Sequence, residues 1–215
     1  MTNTYILQKR KPTYNQDFFE TIDTEEKAYW LGFIAADGSI SNNKRYRIRL
    51  KLSNKDINHL KKFGNSINFE NLIRVTKLSK YNTQACIISL CSKKMFNDLL
   101  DKGIMPRKSL ILKPPKNIPR DLLRHWIRGY FDGDGCIHFQ NERLTFNIVG
   151  TIEVLKFILL NSSLDLKISI AGNSKAFLLR GSGTKANLFL HYIYDNSLIY
   201  MDRKFNLFIQ GPLPL

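Results

Sequence analysis

Two Asp-Gly pairs in this chain of 215 residues end two segments of similar sequence. Asp37-Gly38 ends the segment WLGFIAADG, and Asp134-Gly135 ends the segment IRGYFDGDG, 97 residues further along. A single Asp-Gly pair is typical of a tight turn. Two pairs at matching positions favour a shared site instead, because neighbouring carboxylates repel each other unless a cation lies between them. Oxygen ligands of this kind select a hard divalent cation such as Mg²⁺.

Small residues precede both aspartates at the spacing of one helical turn. Gly32 and Ala36 do so in the first segment, and Gly129 and Gly133 do so in the second. Residues four apart lie on the same face of a helix, and small side chains there let two helix backbones approach closely. If both segments are helices that pack through these faces, their carboxylates lie at one junction. Each carboxylate also opposes its helix dipole, at a cost of about 0.3–1 kcal/mol that a bound cation would offset.

A second motif repeats at almost the same distance. Residues 105–108 read MPRK and residues 201–204 read MDRK, 96 positions apart. Two unrelated motifs with nearly one offset indicate a tandem duplication of a unit of about 95 residues. We therefore expect repeats at residues 20–105 and 120–210, joined by a proline-rich linker at residues 106–119.

Hydrophobic periodicity predicts the order α-β-β-α-β-β-α in each repeat, an α+β fold with one antiparallel four-stranded sheet per repeat. The first helix is expected to begin at Asp23 in a capping box with Glu26 and to end at Gly38. The first repeat has predicted helices at 24–37, 54–66 and 92–102 and predicted strands at 45–53, 71–80 and 83–91. The second has predicted helices from about Pro119 to Gly135, at 151–162 and at 184–194, and strands at 136–140, 143–149, 165–171 and 175–181. Residues 1–20 and 211–215 are expected to lie outside the repeats.

Strict alternation over residues 45–53 predicts a strand with one basic face. Arg45, Arg47, Arg49 and Lys51 alternate with apolar residues, so they lie on the same side of the strand. Cations in a row at about 6–7 Å spacing match an extended polyanion such as DNA, in whose major groove Arg reads guanine. Further predicted DNA-binding residues lie on the other strands: Arg74, Lys77, Lys80, Arg143, Thr145, Asn147, Lys167, Ser169, Lys175 and Arg180. Side by side, the two sheets would form a DNA-binding saddle of about two DNA turns, roughly 20 base pairs.

The composition also favours a nucleic-acid partner. The chain has 33 Lys and Arg against 18 Asp and Glu, a formal net charge of +15, which is typical of proteins that bind polyanions. An anionic membrane surface is the alternative, but the basic row lies on a predicted strand and not on an amphipathic helix. No apolar run is long enough to span a bilayer, and the first residues do not read as a secretory signal. Three cysteines without paired spacing argue against a disulfide scaffold and favour an intracellular, reducing location.

The two nine-residue segments resemble the LAGLIDADG motif, and the chain resembles a single-chain homing endonuclease with two such motifs. The resemblance extends over residues 24–208 and includes the element order and the basic pair after each third helix. It implies a monomeric, intron-encoded enzyme. Such an enzyme uses two or more Mg²⁺ ions to cut both strands of a long, nearly palindromic DNA target, and it leaves 3′ overhangs.

The resemblance also implies the metal ligands. The eighth motif position supplies the metal-binding carboxylate, here Asp37 and Asp134. The preceding main-chain carbonyls, at Ala36 and Gly133, can also bind the metal.

Three polar residues match further catalytic positions of the family. Lys108 and Lys204 match the basic position after the third helix, and we expect them to stabilise charge or activate water. Asn54 matches a polar residue that organises water, and Gly150 is its expected counterpart in the second repeat.

The chain departs from the family motif at three positions. Ala35 stands where the sixth position is usually Asp, which the second repeat keeps as Asp132. Trp30 and Arg128 replace small or aliphatic residues. These departures concern the packing of the helices more than the chemistry of the site.

A non-catalytic nucleic-acid binder on the same scaffold is the main alternative function. Such a protein would be an intron RNA maturase or a DNA-binding regulator. Retention of both carboxylates and both lysines favours the enzyme, although a maturase can keep them too.

Overall fold

Each half of the chain folds into three helices and four strands in the predicted order. The computed structural model describes residues 14–69, 73–172 and 175–211. The first repeat comprises α1 (Glu25–Asp37), β1 (Gly38–Ser41), β2 (Arg47–Ser53), α2 (Ile57–Ser66), β3 (Arg74–Val75), β4 (Ala85–Cys91) and α3 (Lys93–Asp101). The second comprises α4 (Leu123–Asp134), β5 (Gly135–Gln140), β6 (Arg143–Gly150), α5 (Ile152–Ser162), β7 (Ile168–Ile170), β8 (Phe177–Ser182) and α6 (Thr184–Tyr194). Strand β1 had no predicted range, and a final helix, α7 (Asp202–Ile209), was not predicted.

Each repeat forms one antiparallel sheet of four strands, as predicted. The strand order is β1-β2-β4-β3 in the first sheet and β5-β6-β8-β7 in the second. Strand β3 is only two residues long, much shorter than the predicted strand at 71–80, of which residues 71 and 72 lie outside the described residues. As a result Lys77 and Lys80 lie in the β3–β4 connection. Strand β2 begins at Arg47, two residues later than predicted, so Arg45 lies in a bend before it.

The ends of α1 differ from the expected caps. Thr24, and not Asp23, caps the helix through a hydrogen bond that its side chain accepts from the backbone nitrogen of Lys27. Asp23 forms an ion pair with Lys27 instead. At the other end, Gly38 has an extended backbone and passes directly into β1. Glycine is needed there because a Cβ atom would lie 2.7 Å from the carbonyl oxygen of Ile34.

A hydrophobic core continues through both repeats and includes residues before α1. Phe18 and Phe19, which were expected outside the repeats, are buried in this core. Trp30 is also buried and donates to the hydroxyl of Ser66 at 2.8 Å. No helix in the described parts of the chain is both long enough and apolar enough to cross a membrane.

Arg128 joins the two repeats on the side of α1 and α4 away from their carboxyl ends. It is completely buried, donates to Glu25 at 2.5 Å, and donates to the carbonyl oxygens of Ile193 and Ile199 at 2.8 Å. The buried guanidinium therefore has acceptors from both repeats, which explains why a large cation is accommodated at a motif position that is usually small.

Candidate active site at the helix junction

Helices α1 and α4 pack through glycines, with their backbones in direct contact. A Cβ atom on Gly32 would lie 2.0 Å from the carbonyl oxygen of Trp126, and one on Gly129 would lie 1.9 Å from that of Tyr29. The two contacts are equivalent, because Tyr29 and Trp126 hold the same position in the two repeats. The predicted small-residue interface is confirmed, and it has the reciprocal contacts of a pseudo-twofold axis.

The same packing brings the carboxyl ends of both helices together. A Cβ atom on Gly133 would lie 2.3 Å from the Cβ of Ala36 and 3.4 Å from the backbone nitrogen of Asp37. Asp37 and Asp134 are the last residues of their helices, and both are exposed. The structure therefore places the two predicted carboxylates at one junction that is open to a ligand.

The electrostatics of this junction favour a bound cation. Surrounding protein atoms partly desolvate the Asp134 carboxylate, and this desolvation, followed by repulsion from Asp37, raises its pKa to about 6. The pKa of Asp37 is raised as well, chiefly by partial desolvation. The ion pairs found among the described residues involve other carboxylates. The junction thus presents two neighbouring oxygen donors without a paired cation, a donor set that fits a divalent metal ion.

A metal ion at the junction would need additional oxygen ligands. Within residues 14–69, 73–172 and 175–211, no group of three or more His, Cys, Asp or Glu side chains is placed to hold a metal ion. The remaining ligands would therefore be main-chain, water or phosphate oxygens. The Ala36 carbonyl, one of the predicted ligands, already accepts a hydrogen bond from the Lys108 ammonium at 3.0 Å.

The two predicted catalytic lysines cap the helix ends in this structure. The Lys108 ammonium donates to the carbonyl oxygens of Ala36 and Gly38, at 3.0 and 2.7 Å. The Lys204 ammonium donates to three carbonyl oxygens, those of Phe131 at 2.8 Å, Asp132 at 2.7 Å and Gly135 at 2.5 Å. Both lysines are buried, and their charge compensates the negative end of each helix dipole.

The lysines also act on the carboxylates through space. Burial lowers the pKa of Lys204 to about 8. Burial also lowers the pKa of Lys108. Both ammonium groups in turn lower the pKa of Asp37 and of Asp134. Each lysine therefore stabilises the ionised form of the carboxylates without pairing directly with either one.

Tyr130 is a contributor to the site that the sequence analysis missed. Its hydroxyl donates to the Val149 carbonyl oxygen at 3.2 Å, and its interaction with the Asp134 carboxylate makes a minor contribution that lowers the pKa of Asp134. A Cβ atom on Gly150 would lie 2.6 Å from this hydroxyl, so the glycine makes room for it. The corresponding residue of the first motif is Phe33, which has no hydroxyl. A tyrosine where the first motif has phenylalanine is the sequence signal that could have identified Tyr130.

Asn54 lies in a single 3₁₀ turn before α2, where its carboxamide nitrogen is 3.5 Å from the Gln84 side-chain oxygen. Its own side-chain oxygen is buried without a hydrogen-bond partner among the described residues. The expected counterpart was wrong: Leu50 and Ile148 hold equivalent positions in the strand register, so Asn54 corresponds to Ile152 and not to Gly150.

Asp56 and Arg203 form a second contact near the site that the sequence analysis missed. The Arg203 guanidinium of α7 donates to the Asp56 carboxylate at 2.9 Å, and both charges affect the pKa of Asp37. A neighbouring pair joins Lys62 to Asp202 at 2.6 Å. Helix α7 is thus attached to the first repeat by two ion pairs next to the carboxylate junction.

A buried polar network lies under the junction. The carboxylate of Asp132 accepts hydrogen bonds from the hydroxyls of Tyr29 at 2.7 Å and Tyr194 at 2.6 Å, and from the backbone nitrogen of Met201 at 2.8 Å. The Tyr29 oxygen is also 3.0 Å from the Nε2 of His59. Asp132 therefore fixes the segment that leads into α7 and Lys204. Ala35, its counterpart in the first repeat, has no such role.

The predicted DNA-binding residues fall into three groups. Arg47, Arg49, Lys51, Arg74, Arg143, Asn147, Ser169 and Arg180 lie on strands and are exposed or half-buried. Arg45, Lys77, Lys80, Lys167 and Lys175 are exposed but lie outside the strands. Thr145 is the exception, because it is fully buried and its hydroxyl is 2.9 Å from that of Ser182. Its neighbours on adjacent strands cover it, so the prediction that Thr145 contacts DNA is wrong for this structure.

No protein-family model matches the sequence, and no curated protein matches it either. Solved structures do match its fold. The homing endonuclease I-WcaI bound to its DNA recognition sequence superposes with a TM-score of 0.63 at 15% sequence identity, over 88% of this chain and 90% of that chain. The LAGLIDADG homing endonuclease I-LtrWI bound to target DNA gives 0.57 at 13% identity, over 91% and 90%.

A third structure, the LAGLIDADG homing endonuclease I-GzeII in complex with a DNA target, gives a TM-score of 0.52 at 14% identity, over 84% of this chain and 87% of that chain. All three similarities extend over nearly the whole of both molecules. The chain therefore has the LAGLIDADG homing endonuclease fold, as the motif resemblance implied.

Proposed function

We propose that the chain is a single-chain LAGLIDADG homing endonuclease, a site-specific enzyme that cuts both strands of DNA with the help of Mg²⁺. One observation carries the proposal: two exposed carboxylates, Asp37 and Asp134, meet at the junction of two duplicated halves. At this junction each carboxylate opposes its helix dipole and repels the other carboxylate. A purely structural role for either aspartate would not require the two to lie side by side.

The residues of the junction have separate roles in this proposal. Asp37 and Asp134 would hold divalent cations, which supply Lewis-acid stabilisation of charge on phosphate oxygens. Lys108 and Lys204 keep the helix ends in place through their carbonyl hydrogen bonds and add positive potential. Tyr130 makes a minor contribution that lowers the pKa of Asp134, against the larger rise caused by desolvation and by Asp37.

The two sheets would supply the DNA-binding surface. The chain carries a net charge of +15, and exposed Arg47, Lys51 and Arg74 lie on the face of the first sheet. Pseudo-symmetric halves fit a long, pseudo-palindromic target in which each sheet contacts one half-site. One chain then forms a complete active site, so the active species is a monomer.

One carboxylate from each repeat would serve one DNA strand, so that both strands are cut. The family resemblance implies that the cut leaves 3′ overhangs.

The experiment that tests this function is selective cleavage of a DNA library. Purified full-length protein is incubated with duplexes that carry candidate intron-insertion sites, with Mg²⁺ or with EDTA, and the new ends are sequenced. We expect Mg²⁺-dependent double-strand breaks with 3′ overhangs at one related set of sites. A library bound at defined sites but never cut would support the non-catalytic binder instead, and a library neither bound nor cut would contradict the proposal.

A further inference from the structure

The strand register defines which residues of the two sheets are equivalent. Leu50 of β2 pairs with Gly38, and Ile148 of β6 pairs with Gly135. Both glycines directly follow the paired carboxylates, so Leu50 and Ile148 hold the same place relative to the junction. A residue on the exposed face of β2 therefore corresponds to the residue of β6 that is 98 positions later.

Equivalent positions of β2 and β6 have different chemistry. Arg47 corresponds to Thr145, Arg49 to Asn147, and Lys51 to Val149. Three successive cations in the first sheet are thus replaced by a hydroxyl, an amide and an aliphatic side chain in the second.

The first sheet gathers its cations around one cleft. The guanidinium-bearing residues Arg47, Arg49 and Arg74 line this cleft together with Ile87 and Ser89. The ion pairs of the described residues do not include any of the three arginines. Their donors are therefore free for a ligand with several acceptors.

The three equivalent positions of the second sheet carry no charge. Thr145 is buried against Ser182, and Val149 is exposed. Asn147 is half-buried, and its side-chain oxygen is buried without a hydrogen-bond partner among the described residues. Arg180 on the adjacent strand β8 already donates to the side-chain oxygen of Gln140. At these three positions the second sheet therefore offers one amide and one apolar contact in place of three cations. The exposed cations on its strands are Arg143, the equivalent of Arg45, and Arg180.

We infer that the two halves of the DNA target differ in base composition, with guanines in the half-site of the first sheet and A·T pairs in that of the second. Arg donates two hydrogen bonds to the O6 and N7 of guanine, whereas Asn matches the N6 and N7 of adenine, and an aliphatic side chain contacts the methyl group of thymine. This inference rests on the proposed function and specifies the substrate of the same site.

Binding selection from random DNA duplexes tests the inference without cleavage. Full-length protein selects sites in EDTA, and two exchange variants, Arg49→Asn and Asn147→Arg, are selected in parallel. We expect wild-type sites with guanines concentrated in one half. Arg49→Asn should reduce guanine preference in that half by about 5- to 150-fold at one or two positions. Asn147→Arg should add guanine at the pseudo-symmetric position of the other half.

The outcomes separate this inference from the function on which it rests. Selected sites with equal base composition in both halves would overturn the inference. An Arg49→Asn variant that binds more weakly but keeps the wild-type guanines would also overturn it, because Arg49 would then contact phosphate and not a base. Failure to select any site would contradict the proposed function itself. If Asn147→Arg does not fold, Val149→Arg at the exposed neighbouring position replaces it, with the same gain of guanine expected.

Discussion

The two motif helices end in the same place but are held there by different contacts. The first helix ends with Lys108 on two carbonyl oxygens, while the second ends with Lys204 on three. Only the second carboxylate has a tyrosine hydroxyl, from Tyr130, close enough to lower its pKa. The duplicated backbone thus keeps its symmetry where the helices touch, and the polar surroundings of each carboxylate have diverged.

The largest effect is expected where the repeats are most alike, at the glycine contacts of α1 and α4. Gly32→Ala and Gly129→Ala should each lower the free energy of unfolding by about 3 kcal/mol or more, because the added methyl group meets backbone that cannot move alone. Urea denaturation measures the loss. Gly64→Ala is the control, since its methyl would lie 3.2 Å from a single carbonyl oxygen of Phe69. A loss below about 1 kcal/mol at either interface glycine would contradict this packing.

The next largest loss of stability is expected from removal of the lysines at the two helix ends, and the two losses should differ. Replacement of Lys204 by Met removes the donor to three carbonyl oxygens, and replacement of Lys108 by Met removes the donor to two. At roughly 1 kcal/mol for each lost hydrogen bond, Lys204→Met should destabilise the protein by about 3 kcal/mol and Lys108→Met by about 2. Urea unfolding of both variants, with exposed Lys116→Met as the control, checks the order. The opposite order would mean that these carbonyl contacts do not hold the helix ends.

The sequence predicted the junction but not the contacts of these lysines. The spacing of Gly32 and Gly129 contains the information about helix packing, because a backbone contact depends on the lack of side chains. The sequence shows that Lys108 and Lys204 are cations, but a four-carbon side chain can reach water, phosphate or carbonyl oxygen. Only the tertiary structure shows that both ammonium groups turn back onto the helix ends.

Other parts of the fold depended on neighbours that are distant in sequence. Thr145 alternates with apolar residues and was expected to face solvent, but Ser182 on β8 covers it. Helix α7 was not predicted because its N-cap residue, Met201, has no side-chain oxygen to mark a helix start. The alignment of Asn54 with Gly150 is two positions away from the correct one, Ile152. One of these two positions comes from an extra residue between the first helix and the strand in the second repeat, which only strand register reveals.

A smaller effect is expected on stability at acid pH, because His59 in the first repeat corresponds to Phe157 in the second. The His59 ring packs on Tyr29 as Phe157 packs on Trp126, at 5.8 and 5.7 Å. Burial lowers the pKa of His59 to about 3, so the unfolded chain binds a proton between about pH 6.5 and 3 that the folded chain does not. Stability should therefore fall as the pH falls through this window, by up to about 1.4 kcal/mol per pH unit.

His59→Phe makes the first repeat resemble the second and should remove this part of the pH dependence. Urea unfolding at several values between pH 6.5 and 4 gives the slope for both proteins. The variant loses the hydrogen bond to Tyr29 at all pH values, so the slope and not the absolute stability is compared. An unchanged slope would assign the acid sensitivity to other groups, such as His125, whose pKa is lowered to about 4.

The smallest effect is expected from Tyr130→Phe, which gives the second motif the side chain of the first. Loss of the hydroxyl removes a contact that lowers the pKa of Asp134, so that pKa should rise from about 6. The acid limb of Mg²⁺-dependent cleavage should then move to higher pH by less than about one unit. A pH profile of single-turnover cleavage measures the shift. No shift, or a shift to lower pH, would show that Tyr130 does not act on this carboxylate.

The reverse exchange, Phe33→Tyr, should not transfer the effect to the first repeat. Gly150 leaves room for the Tyr130 hydroxyl, and the strand register gives Leu52 as its equivalent. The added hydroxyl of Phe33→Tyr would therefore meet the Leu52 side chain, and we expect a loss of stability in urea unfolding of about 1–3 kcal/mol.

Cleavage by single carboxylate variants tests the central claim, that Asp37 and Asp134 together form the active site. On a target obtained from the DNA library, Asp37→Asn and Asp134→Asn should each reduce double-strand cleavage by roughly a thousand-fold, about 4 kcal/mol of transition-state stabilisation. Their DNA affinity in EDTA should stay close to that of the wild type. Either variant cutting both strands at the wild-type rate would contradict the claim.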